Sequence, residues 1–170
     1  MDGPYIQIFN IRFSFYRGFE KVIALLRNPL EAALSEYYRL KTEHKKEITK
    51  KQFEGPIWKN FALKQVKKWN WLYMLLFRRY PKEKICILRY EKLKENLMKE
   101  FDNCLNFLRI SVNQELLDCI LKKQGAFYHK SLPPELKTIA INGSFEDSEL
   151  VTIQKHKTQV LNQIKKLKLI

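Results

Sequence analysis

The chain is poor in the residues that punctuate and staple small proteins. Only 5 glycines and 6 prolines occur in 170 residues, and with 45% hydrophobic and 13% aromatic content this excludes a low-complexity or disordered chain. The 3 cysteines, Cys86, Cys104 and Cys119, lie far apart, with no CxxC pair and no histidine at metal-ligand spacing. That pattern excludes a disulfide framework and a zinc site, and buried free thiols are expected. One disulfide stays open to three cysteines in an oxidising compartment, and the sequence does not choose its pair. No run of about 18 apolar residues is present and no secretory leader is recognisable, so no membrane span is expected. Acids are scarce too: 18 against 32 lysines and arginines, a net charge of +14. Such an excess implies an anionic partner, whether nucleotide, nucleic acid, acidic glycan or anionic membrane surface.

What is there reads as alternating strands and helices in one domain large enough for a sizeable core. The first 20 residues are aromatic-rich and extended, without a clear period. "KVIALL" (21–26) has the length and composition of a buried parallel strand. A helix follows, with Asn28 as its cap, Pro29 in its first turn, Glu31 near its positive end, and Leu30, Ala33, Leu34, Tyr37 and Tyr38 at helical spacing. Residues 41–57 read as a lysine-rich helix tail and loop. Trp58 to Tyr80 reads as a long helix whose stripe is Phe61, Val66, Trp69, Leu72, Tyr73 and Leu76, ended by Pro81. "KICIL" (84–88) is a second buried strand. An amphipathic helix begins near Asn96 with Leu97, Phe101, Leu105 and Leu108 on one face, and another spans about Asn113 to Lys122. A turn-rich stretch then leads to a basic helix at roughly 147–168, with Leu150, Ile153, Val160, Ile164 and Leu167 as its apolar positions. The fold class is α/β with a parallel sheet.

Arg27 sits where the first clear strand ends and a helix begins. In open α/β sheets that is where ligands bind, and a guanidinium there can grip a phosphate bidentately beside the positive helix end. Ser35, eight residues on, reaches the same anion only if the ligand lies along the helix flank. The plain alternative is a solvated arginine and an inert helical serine. Trp58 and Trp69 are expected in the core.

The segment "VIALLRNPLEAALSEYYR" resembles the 3′-phosphate-binding segment of the sulfotransferases that use 3′-phosphoadenosine 5′-phosphosulfate (PAPS): an apolar strand, Arg-(Asn/Asp)-Pro, and Ser eight residues after the arginine. "WKNFALKQVKKWNWLYMLLFRRYP" is similar to the tryptophan-containing helix of that family. "ICILRYEKLKENLMKEFDNCLNFLRI" looks like its strand, "YEDL" turn and helix, and "LKKQGAFYHK" resembles its late nucleotide-closing loop. Four matches in order, over about residues 20–130, look most like the sulfotransferase domains of WSC-domain-containing proteins. The resemblance implies a P-loop-type three-layer α/β fold with PAPS as co-substrate, no metal, and transfer of a sulfuryl group to a hydroxyl or amine on an acidic glycan or protein. It implies that Arg27 and Ser35 bind the 3′-phosphate, that Tyr90 lies near the adenine, and that Lys122, Lys123, Gly125 and Lys130 belong to the closing loop. Lysines there stand where many relatives carry arginine, which gives charge without a bidentate fork. A buried tyrosine bonded to backbone is the plain alternative for Tyr90. By resemblance the location is the Golgi or secretory-pathway lumen, on a membrane anchor not seen in this chain.

Two parts of the chemistry are not found. The family's "PxSGTxW"-like loop, which neutralises the leaving 5′-phosphate, has no counterpart in residues 1–20. The acceptor also needs a general base upstream of the arginine, where Asp2 and Glu20 are the only acids and no histidine occurs. His44 and His156 read as solvated among lysines, and His129 falls in the late loop. The expectation is therefore an atypical stretch 1–20 followed by a partial, N-terminally incomplete sulfotransferase domain at 21–170, with little or no catalysis. The competing class is a non-enzymatic binder of nucleic acid or another polyanion through Lys41, Lys45, Lys46, Lys50, Lys51 and the terminal "KKLKLI". No nucleic-acid motif accompanies those lysines.

Overall fold

A computed structural model describes residues 5–8, 11–14, 19–42, 48–122 and 132–169. Two short strands, β1 (Tyr5–Ile8) and β2 (Ile11–Ser14), pair antiparallel within the aromatic N-terminal stretch. β3 (Val22–Leu26) then leads through Arg27 and Asn28 into α1 (Pro29–Thr42). A short helical turn (Lys50–Gln52) precedes the long α2 (Pro56–Arg79). β4 (Ile85–Arg89) runs into the short α3 (Tyr90–Glu95), followed by α4 (Leu97–Leu108) and α5 (Gln114–Lys122). α6 (Pro134–Asn142) and α7 (Asp147–Lys166) complete the described chain.

β3 and β4 pair in parallel, from Val22 opposite Ile85 to Leu26 opposite Arg89, so both strands deliver their carboxyl ends to one place. Successive strand residues face opposite sides of a sheet. Leu26 with Ile85 and Ile87 pack against Trp69, Tyr73 and Phe77 of α2 and Val160 and Ile164 of α7. On the other side Cys86 meets Cys104 of α4, whereas Ile23 and Leu25 of β3 stay 41% and 50% exposed. A second cluster joins Leu30, Ala33, Leu34 and Tyr37 of α1 to Trp58, Ala62 and Val66 of α2, with Ala140 and Ile153 behind them. Each fully buried Leu or Ile stabilises by about 1.5–3 kcal/mol. The described residues thus form an α/β arrangement with a short parallel pair and mostly helices, and none of their helices is long and apolar enough to cross a membrane.

Several boundaries differ from the sequence reading. α2 starts at Pro56, and its buried stripe runs Trp58, Ala62, Val66, Trp69, Tyr73 and Phe77, leaving Phe61, Leu72 and Leu76 half-buried. Both Trp58 and Trp69 lie in the core as expected. The loop around 48–55 buries Ile48 and Phe53, because Phe53 seats its ring on Trp58 at 5.7 Å and its carbonyl accepts the Ser144 hydroxyl. In α4 the deepest residues are Glu100 and Cys104, beside the half-buried leucines. The turn-rich stretch contains α6, since consecutive prolines start a helix where no backbone donor is missed. The Trp58 indole N–H donates to the Ala140 carbonyl at 2.9 Å and ties that helix down. Cys119 is exposed, not a buried thiol. His156 is half-buried on α7, where burial and then the charges of Lys67 and Lys155 lower its pKa, and its Nδ1 has no partner among the described residues.

Candidate anion-binding site at the strand ends

The site begins with a local capping reaction. Asn28 turns its Oδ1 back to accept the Leu30 N–H at 3.0 Å and the Glu31 N–H at 3.4 Å, while its carbonyl accepts the Ala32 N–H at 2.9 Å. Pro29 has no donor to lose at the first helical position. The chain therefore leaves β3 and enters α1 within two residues, and Arg27 stands on the outside of that corner.

From there the Arg27 side chain runs along the flank of α1. Its Nη2 donates to Ser35 Oγ at 2.8 Å. Its guanidinium lies over the Tyr90 ring, with Cζ 4.3 Å from the ring centroid. Tyr90 comes to that place because parallel pairing sets Leu26 opposite Arg89, so that the next residues of both strands meet. The Arg27 Nε is buried without a hydrogen-bond partner among the described residues, which leaves part of the donor fork unused. Lys94, one turn beyond Tyr90, holds its Nζ 5.1 Å from the same ring. Arg27, Ser35 and Tyr90, chosen from the sequence, are brought together.

The cap expected at Asn28 is present, and it decides what the helix end can offer. Leu30 and Glu31 N–H are taken by Asn28, and the Asn28 N–H donates to Glu91 Oε1 at 3.0 Å. The helix end is satisfied internally, so an anion at this site rests on side chains, with only the helix dipole in support. Arg27 itself is half-buried and stacked on Tyr90.

Three residues of the site escaped the sequence reading. Glu91 ties α3 to the Arg27–Asn28 corner across 63 residues. Tyr73 of α2 donates its hydroxyl to the Leu25 carbonyl at 2.5 Å, fixing the last turn of β3 before Arg27. Burial, and to a smaller degree the Glu91 charge, raises the Tyr73 phenol well above its usual pKa. Lys94 is the third. The acid following Tyr90 in "RYEKL" was the available signal for Glu91, whereas Tyr73 was read only as an apolar stripe position. Of the expected closing loop, Lys122 is the exposed last residue of α5. Lys123, Gly125 and Lys130 lie outside the described residues, as do His44, His129, Lys45 and Lys46.

Comparison with known proteins bears on this geometry. The family model described as the sulfotransferase domain matches residues 8–159. The WSCD family member CG9164 of Drosophila melanogaster is 28% identical over 116 residues, 66% of this chain and 36% of that protein. The WSCD family member GA21586 of Drosophila pseudoobscura pseudoobscura is 29% identical over 116 residues, with the same two shares. The matched region thus spans little more than a third of these curated relatives. No solved structure matches the chain.

Proposed function

Because the chain belongs to the sulfotransferase domain family, we propose that the Arg27 cluster binds the 3′-phosphate end of PAPS and serves sulfuryl transfer to a hydroxyl or amine of a glycan or protein. The observation that carries this reading is the Arg27–Ser35 hydrogen bond of 2.8 Å, set beside the Tyr90 ring at the shared strand end. A guanidinium with one nitrogen committed to a hydroxyl and another unpartnered can turn both donors toward phosphate oxygens, and the serine hydroxyl can follow. Tyr90 offers a ring face beside the same point for the adenine, and Lys94 adds a second positive charge there. Lys122, Lys123, Gly125 and Lys130 would close over the nucleotide from the late loop. The wider three-layer sheet, the division at residue 20, and a Golgi or secretory lumenal location belong to the same proposal.

In such a transfer the acceptor atom attacks sulfur while the sulfur–oxygen bond to the 5′-phosphate breaks, and the acceptor proton passes to a base. The sequence shows neither the loop that would neutralise the leaving phosphate nor that base. Nucleotide binding with little turnover is therefore the expected behaviour of this chain by itself.

The test is a calorimetric titration with PAP, the desulfated product, at moderate salt. Hydrogen bonds to a charged group contribute about 1.5–3 kcal/mol, so Arg27→Ala should weaken PAP binding by roughly 10–100-fold. A well-folded parent chain that ignores PAP overturns the reading. The net charge of +14 supports one other reading, a polyanion binder. Steeply salt-dependent DNA binding, with no response to PAP, would favour it.

A further inference from the structure

β4 and α4 face each other through two thiols. Ile85 and Ile87 point to the α2–α7 side, so Cys86 between them points to the other, where it meets Cys104. The two sulfurs are 3.6 Å apart, and both cysteines are free thiols. A disulfide needs them about 2 Å apart, a closure of roughly 1.5 Å within reach of side-chain rotation and a slight shift of α4. Cys119, on α5, is exposed and outside this contact. We infer that Cys86 and Cys104 form an intramolecular disulfide when the chain meets a low-molecular-weight disulfide such as oxidised glutathione.

The exchange balances with that one oxidant. A Cys86 or Cys104 thiolate attacks one glutathione sulfur, forming a mixed disulfide and expelling the first glutathione thiolate. The second protein thiolate then attacks the protein sulfur of that mixed disulfide and expels the other. Two protein thiols are oxidised, one glutathione disulfide is reduced, and the two thiol protons end on the two glutathione molecules. An open cleft of about 520 Å³ gives the reagent access to Cys86, and in its walls Lys82, Arg89, Lys92 and Lys168 outnumber Glu83 and Glu100, which suits an anionic oxidant. Burial first, then the bond to Cys104 and the nearby Glu100 charge, raises the Cys86 pKa. The thiol stays protonated at neutral pH, which makes closure slow there and faster in mildly alkaline solution.

The bridge closes a loop spanning 18 positions that contains Tyr90 and Glu91, so it would staple the half of the site contributed by β4 and α3. It stands independently of the nucleotide reading. The experiment uses the full chain with Cys119→Ser, incubated with oxidised glutathione at mildly alkaline pH, alkylated without reductant, and followed by intact mass and peptide mapping. The expected product has lost two hydrogens, takes no alkyl group, and yields one linked peptide pair carrying Cys86 and Cys104. Its Tm should exceed that of the reduced chain by about 6–12 °C, from the entropy of the closed loop. Alkylation of both cysteines overturns the inference, as do separate glutathione adducts without a link. Should the Cys119→Ser variant fail to fold, the parent chain gives the same reading, with Cys119 alone left to alkyl or glutathione groups.

Discussion

Replacing Tyr73 with phenylalanine removes one oxygen and should be felt at the far end of β3. The hydroxyl donates to the Leu25 carbonyl at 2.5 Å, and Tyr73 is only 5% exposed, wedged between Trp69 and Phe77 with ring centroids 4.9 and 6.0 Å away. The ring contacts survive in Tyr73→Phe, so the loss is the hydrogen bond and the desolvated carbonyl left behind, about 1–2 kcal/mol. For a chain of this size each kcal/mol moves Tm by about 2–4 °C, which predicts a fall of roughly 2–8 °C in a thermal melt at neutral pH. The same residue predicts a pH effect. Burial raises its pKa above the ordinary value of 10.0. Below that value both folded and unfolded chains hold the proton and the full stabilisation is present. Above it the unfolded chain releases the proton while the folded chain keeps it, so stability falls as pH rises, and it is fully lost once pH passes the raised folded value. The parent should therefore lose stability more steeply than Tyr73→Phe as pH climbs past about 10. A variant as stable as the parent at neutral pH, with an equal alkaline slope, would refute the role given to this bond.

Glu91→Ala should weaken PAP binding about fivefold in calorimetry by freeing the Asn28 N–H and loosening the corner that aims Arg27. Glu91→Gln keeps an acceptor and should retain most of the affinity; equal losses in both would show that charge, not the tie, matters. Arg109 closes α4 in the left-handed conformation, with φ 60° and ψ 41°. There glycine carries no Cβ penalty, so Arg109→Gly should raise Tm by roughly 1–4 °C. A fall in Tm would mean that its side chain contributes more than its backbone strain costs.

The parts of the fold that could be read in advance are those written in neighbouring residues. The Asn-Pro pair after "KVIALL" carries its own cap and its own helix start, so β3, the corner and α1 followed from local chemistry, and Arg27 with them. The apolar runs marked β4 and α2 for the same reason. What escaped depends on contacts distant in sequence. Phe53 looked like a loop residue until Trp58 and Ser144 closed around it. Pro133 and Pro134 read as a turn because the gain from burying Ala140 under Trp58 is not visible locally. Glu91 and Tyr73 reach the site across 63 and 48 positions: the parallel pairing of β3 with β4 brings Glu91 there, and the packing of α2 on those strands brings Tyr73. Alternation along β4 and the position of α4 likewise set Cys86 against Cys104 rather than Cys119.

The central claim is that Arg27 and Ser35 hold a 3′-phosphate. The most direct measurement compares the affinities of PAP and adenosine 5′-monophosphate, which differ by that phosphate alone, in the parent, Arg27→Ala and Ser35→Ala. The account predicts that the parent prefers PAP by roughly 10–100-fold, that Arg27→Ala abolishes the preference, and that Ser35→Ala reduces it. Equal affinities in the parent, or a preference untouched by Arg27→Ala, would contradict it.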